Sequence, residues 1–221
     1  YEANNQPVPT KCDLNTKTTT LNEEGFEFEF NKNLTLSFFD ENVAYTEKQA
    51  GDYSHYTIGE EGLNVKNMWP GIEMQQQFRT GEIKTSYIIN APLNIPIAKG
   101  FMVIEDHFSL PAGFTIEEAD KKARSEDGYY QGDYELKNEE GKVLITYEKP
   151  VYLDSKAWGL YGKYKLIKNG NDYTLQTLVS VDWLKNPDNQ FPLTIDPTVS
   201  GITKIGEFRL VGASASMGFT T

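Results

Sequence analysis

Polar and apolar residues alternate along most of this chain, and the alternation predicts strands. Phe26, Phe28 and Phe30 share one face of a stretch whose other face carries Glu27 and Glu29. A period of two sets one face against a core and the other in water. After a turn at Asn31-Lys32-Asn33 the pattern resumes over residues 34–38, and the two runs read as a hairpin. Residues 43–46, 53–58 and 63–65 are shorter strand candidates. Residues 75–78 reach a turn at Thr80-Gly81. Residues 82–90 follow, with Ile83, Thr85, Tyr87 and Ile89 on one face, and 101–110 is the next long run.

Residues 115–126 depart from the pattern. Thr115 is placed to cap a helix, Glu117 and Glu118 lie in its first turn, and Lys121, Lys122 and Arg124 come later. That charge order suits a helix dipole. Few apolar positions anchor it, so a short exposed helix or a charged loop is expected. Residues 129–136 and 143–147 pair about the turn 138–141. The clearest hairpin joins 160–167 to 173–181 across Asn169-Gly170-Asn171, because Asn-Gly supplies the positive φ of a tight turn. Its second arm delivers Trp183 into a seam, residues 181–199, where Pro192 and Pro197 bracket a last short strand. Proline has no ladder N–H, so this strand reads as a sheet edge or a chain exit.

About a dozen strands with turn signals every eight to twelve residues indicate an all-β fold: an antiparallel β-sandwich, of one sheet pair or two packed sub-sheets, with little helix. Residues 1–20 read as an extended leader and 21–199 as the sandwich domain. Residues 200–221, rich in Gly, Ala and Ser, read as a linker and the start of a following module.

Charge narrows the function classes. The formal net charge is −11, and binding nucleic acid or an anionic membrane through a basic surface needs clustered Lys and Arg. No nucleic-acid partner is therefore expected. Cys12 is the single cysteine, which excludes an intrachain disulfide. No apolar run is long enough to span a membrane. The chain opens on Tyr1 rather than Met and reads as a processed product with a signal peptide removed.

Little chemistry stands out. Glu105 and His107 share a strand face at i and i+2, which permits a metal site. No third ligand accompanies them, and ordinary strand residues are the preferred reading. Asp188 and Asn189 lack the alternating spacing of a calcium loop, so a plain turn is preferred. No phosphate loop, nucleophile elbow or His-Glu-x-x-His pair is present. No catalytic residue, cofactor or metal is assigned, and no enzymatic activity is expected. Trp69, Trp158 and Trp183, with Tyr129, Tyr130, Tyr152 and Tyr161, either fill the core or line a stacking platform for sugars. Trp69, Trp158 and Tyr161 are the members chosen for that platform.

The seam carries a resemblance. Val181-Asp182-Trp183-Leu184, a short loop with Pro187, and Phe191-Pro192-Leu193-Thr194-Ile195-Asp196-Pro197-Thr198-Val199 resemble the close of a β-rich domain near the start of large secreted bacterial surface proteins of the RHS/YD-repeat or FG-GAP-repeat type. Asn67-Met68-Trp69-Pro70-Gly71-Ile72-Glu73 and the strand after it, residues 81–89, resemble the middle of that domain. The resemblance covers about residues 60–199. Residues 205–212 and 217–221 look like the entry to an FG-GAP propeller blade, whose calcium loop would lie in the following module. The resemblance implies a non-catalytic structural or interaction domain, serving adhesion or assembly, in an extracellular or cell-surface protein. The implied partners are other domains of the same chain, surface proteins or glycans. The alternative is a carbohydrate-binding module using exposed Trp and Tyr.

Overall fold

A computed structural model describes residues 2–3, 10–23, 25–40, 45–59, 62–79 and 81–201. In chain order they form β1 (Glu2–Ala3), β2 (Thr10–Asp13), β3 (Thr18–Glu23), β4 (Phe26–Phe30), β5 (Lys32–Phe39), β6 (Gln49–Ala50) and β7 (Tyr56–Ile58). Next come β8 (Gly62–Trp69), β9 (Ile72–Arg79), β10 (Glu82–Ile89), β11 (Phe101–Ser109), β12 (Thr115–Glu118), β13 (Tyr134–Lys137) and β14 (Val143–Tyr147). Then follow β15 (Val151–Leu153), β16 (Gly159–Tyr161), β17 (Lys163–Asn169), β18 (Asp172–Ser180), α1 (Val181–Leu184), β19 (Leu193–Asp196) and β20 (Thr198–Gly201). With 58% strand and 2% helix the chain is all-β, as its alternation predicts. Residues 43 and 44, the turn residue Thr80 and the tail 202–221 lie outside the described residues. Residues 10–20, expected within a leader, carry β2 and the start of β3.

The strands make three antiparallel sheets. Four strands run in the order β1-β2-β3-β4, and five in the order β17-β18-β11-β5-β6. The largest runs β12-β13-β14-β20-β10-β19-β15-β16, with β9, β8 and β7 added in turn from β10. The Phe26–Phe30 alternation holds: Phe28 and Phe30 are buried, and Glu27 and Glu29 are exposed. Inward residues of all three sheets meet in one core, among them Leu36, Ile104, Leu175, Val65, Tyr87 and Ile195. Aromatic rings tie the sheets together there. Phe28 of β4 lies 5.3 Å from Phe108 of β11 and 5.9 Å from Tyr147 of β14, and Phe108 stacks on Tyr173 of β18 at 5.5 Å. Such pairs contribute about 0.5–1.5 kcal/mol each beyond burial.

The seam lies inside the largest sheet, not at its edge. β10 pairs with β9 along one side. Along its other side run β20, opposite residues 82–84, and β19, opposite residues 87–89. β20 also pairs with β14, and β19 with β15. Pro197 falls in the break between β19 and β20, where its carbonyl accepts from Thr85 N at 3.3 Å. A missing N–H is harmless there, which is why two prolines fit beside interior strands. Trp183 sits on α1 rather than on a strand. Ser180 Oγ accepts from Trp183 N at 3.5 Å and starts the turn. The indole then packs on Tyr152, ring centroids 5.6 Å apart.

Residues 115–118 form β12, paired with β13, rather than a helix. Ile116 is buried while Glu117 is exposed, an alternation of period two. The later charges serve a turn: Arg124 donates to both oxygens of Glu118 at 2.6 Å.

Candidate functional site

β11 separates two environments. Met102, Ile104 and Phe108 join the main core. Phe101 and Val103 face the other way, and with Leu178 they form a second small apolar cluster, flanked by Phe39, Tyr45 and Tyr129. This is the outer face of the five-stranded sheet. Lysine ammonium groups roof it. Lys163 Nζ stands 5.3 Å from the Phe101 ring centre, and Lys165 Nζ stands 5.9 Å from those of Phe39 and Tyr45. Their stems cover apolar surface while the charge stays in water.

Further along the same face lies a connected polar set. Glu105 is buried, with its side chain 2% exposed, and Lys48 Nζ reaches its Oε2 at 2.6 Å. Thr35 Oγ1 donates to the same oxygen at 3.2 Å, and Gln176 Nε2 donates to Oε1 at 2.7 Å. Gln176 Oε1 accepts from Tyr45 Oη at 3.1 Å, and Tyr45 Oη accepts from Lys165 Nζ at 3.4 Å. Burial raises the Glu105 carboxyl, but the bonds from Lys48, Gln176 and Thr35 outweigh it and hold the group below its ordinary value. Glu105 is therefore ionised at neutral pH.

His107 stands beside this set. Its Nδ1 lies 3.0 Å from Thr174 Oγ1, and its Nε2 lies 3.6 Å from Glu105 Oε2. Burial lowers the imidazole; Glu105 pulls it up and Lys48 pushes it further down, with a net lowering. The ring is neutral at neutral pH, the state in which an imidazole accepts a proton. The sequence placed Glu105 and His107 on one face, and the structure brings them together. What meets Glu105 is the Lys48 ammonium rather than a third metal ligand. No group of three potential metal ligands occurs among the described residues. Lys48, Gln176, Tyr45 and Lys165 had no signal in the sequence, since Tyr45 and Lys48 come from the loop before β6 and Lys165 and Gln176 from β17 and β18, all far from Glu105 in the chain.

The charge on this face differs from that of the whole chain. Lys48, Lys163 and Lys165 oppose Glu105 and Asp127, the latter 2.5 Å from Lys163 Nζ. Asp172 lies on the same face, where its Oδ1 accepts from Ser109 Oγ, so three ammonium groups meet three carboxylates, on a chain whose formal total is −11.

The aromatic platform does not assemble. Trp69 is buried in the core, and its Nε1 donates to Gln49 O at 3.0 Å. Trp158 is 76% exposed on the β15–β16 hairpin, where Asp154 Oδ1 accepts from its N–H at 2.9 Å. Tyr161 is half exposed, with Lys149 Nζ 4.0 Å above its ring. Asp188 and Asn189 form a turn around Asn186 Oδ1, and Asn189 Nδ2 donates to Trp183 O at 2.6 Å.

No protein-family model matches the chain, and no solved structure matches it. It is similar to three bacterial proteins: the tRNA nuclease WapA of Bacillus subtilis (strain 168), the tRNA3(Ser)-specific nuclease WapA of Bacillus spizizenii and the tRNA(Glu)-specific nuclease WapA of Bacillus subtilis subsp. natto. Each is 33% identical over 96 residues, covering 39% of this chain and 4% of the relative. The chain thus spans about 4% of the length of the curated relatives it matches.

These relatives overturn several expectations. A non-catalytic adhesion or glycan-binding domain, a protein without enzymatic activity, the FG-GAP keyword and the exclusion of nucleic acid all conflict with relatives named as nucleases of tRNA. The total of −11 does not by itself exclude a nucleic-acid partner. A net charge averages the whole surface, and electrostatic contact with a polyanion depends on the local arrangement.

Proposed function

We propose that this chain is a segment of a larger nuclease that acts on tRNA, and that the outer face of the five-stranded sheet is its RNA-facing surface. The 33% identity to three tRNA nucleases over 96 residues carries the first part. The lysine-roofed aromatic cluster, continuous with the Lys48–Glu105–His107 set, supports the second. Ammonium groups meet phosphates, and the aromatic rings beside them suit unpaired bases. A neutral imidazole beside an ionised carboxylate adds a proton acceptor of the kind used in general acid–base chemistry. Because the chain spans so little of its relatives, cleavage is placed at the level of the whole protein and RNA contact at the level of this face.

Binding tests this. Labelled tRNA titrated with the purified chain at low salt is expected to bind, with affinity falling as salt rises. Replacing both Lys48 and Lys165 by Ala weakens binding by about fivefold. Absence of salt-sensitive binding, or equal binding by the variant, contradicts the assignment of this face.

A further inference from the structure

Asp106 occupies a position where alternation calls for an apolar residue, between Ile104 and Phe108 on the inward face of β11. Tyr147 Oη of β14 donates to its Oδ2 at 2.8 Å. Its Oδ1 is shielded from solvent and has no hydrogen-bond partner. Beside it lies a cavity of about 20 Å³, whose polar wall is Asn31, Thr85, Asp106 and Tyr147. That volume holds one water molecule, and a polar wall is what keeps such a water. Asn31 Nδ2 donates to Thr85 Oγ1 at 3.3 Å across this wall, and Gln76 Nε2 reaches the same hydroxyl at 3.5 Å. The cavity therefore sits where β11 of the five-stranded sheet meets β10 and β14 of the largest one.

We propose that Asp106 and this cavity form a proton-operated joint between the two sheets. With the carboxyl protonated, the joint is closed. With the carboxyl ionised, a water enters to solvate Oδ1 and the contact between β11 and β14 loosens.

The surroundings favour this behaviour. The titratable groups facing Asp106 are phenols: Tyr147 from β14, Tyr87 from β10 and Tyr164 from β17, with Tyr53 beyond Tyr87. Burial pushes all four above their ordinary value, so none supplies a charge at neutral pH. β5, β18 and β20 contribute Leu34, Leu175, Thr177 and Val199, which are uncharged. On β11 itself Glu105 and His107 face the opposite side, and among the described residues no cation lines the cavity. Burial pushes the Asp106 carboxyl up to about 7, against the Tyr147 hydroxyl and the Asn31, Lys32 and His107 amides, which pull it down. A buried carboxylate with no cation beside it is unfavourable, so the folded state holds the proton more tightly than the unfolded one. The stabilisation is full below about pH 4 and is lost as pH rises through about 7.

Urea unfolding of the chain and of Asp106→Asn between pH 5 and 9 reads the effect. The folding constant of the wild type relative to the variant is expected to fall about tenfold per pH unit from 5 to 7 and then level off. A ratio that does not change with pH overturns the proposal. Should the variant fail to fold, the Asp106 carboxyl carbon followed by NMR in the wild type decides: a midpoint near 7 supports the joint, and one below 5 overturns it. Hydrogen exchange, corrected for intrinsic rates, locates the opening. Protection is expected to drop above pH 7 in residues 104–108 and 143–147 while the β8–β9 hairpin keeps its own. A uniform change overturns a local joint.

Discussion

Glu105 and Asp106 are chain neighbours with opposite electrostatic fates. Glu105 turns to the outer face, where three donors reach it, and its carboxyl is held below the ordinary value despite burial. Asp106 turns inward, where burial outweighs the Tyr147 hydroxyl and three backbone amides and raises it. Strand alternation alone decides which is which. Lys48→Met removes the shortest contact to Glu105 and is expected to destabilise the fold by about 1–2 kcal/mol at pH 7. The sign follows from the lowered carboxyl: its contribution is present above the ordinary carboxylate range and disappears as pH falls through the folded value. Urea midpoints for wild type and variant are expected to differ at pH 7 and to draw together as the pH is lowered through the folded value of Glu105.

At the scale of elements, strands were legible wherever apolar residues alternated without a competing signal. Phe26–Phe30 alternates as read, but it pairs with β3 and not with residues 34–38, which pair with β11. The Asn169-Gly170 hairpin forms over 163–169 and 172–180, while residues 160 and 161 lie in β16. The helical reading of residues 115–126 rested on charge order, but a helix needs an apolar stripe, and Ile116 is the one buried residue between 115 and 126. Pairing with β13 supplies the missing partner. The seam was recognisable as a punctuated stretch, yet its place beside β10 depends on strands more than 100 residues earlier in the chain, which no local pattern reveals. The candidate site shows the same split. Glu105 with His107 is a spacing within one strand and was visible; Lys48 and Gln176 reach Glu105 only through sheet order. Asp106 left a trace, a lone carboxylate on an apolar face. Trp183 couples α1 to β15, and Trp183→Ala is expected to cost about 3–5 kcal/mol by leaving a cavity against Tyr152. A loss below about 1 kcal/mol in chemical denaturation would show that the seam helix is dispensable to the core.

The whole molecule is acidic, but on one described face ammonium groups balance carboxylates over an aromatic floor. Its relatives are nucleases of tRNA many times its length. A face on which the two signs balance opposes a polyanion less than the net charge of the chain would suggest. The central claim is that the chain serves tRNA cleavage through this face. The most direct test incubates end-labelled tRNA with the full natural protein, unaltered or carrying Lys48→Glu and Lys165→Glu together, and follows fragments over time. The account predicts cleavage by the unaltered protein and a rate about tenfold lower for the variant at equal folded concentration. Intact tRNA with the unaltered protein, or equal rates for the two, contradicts it.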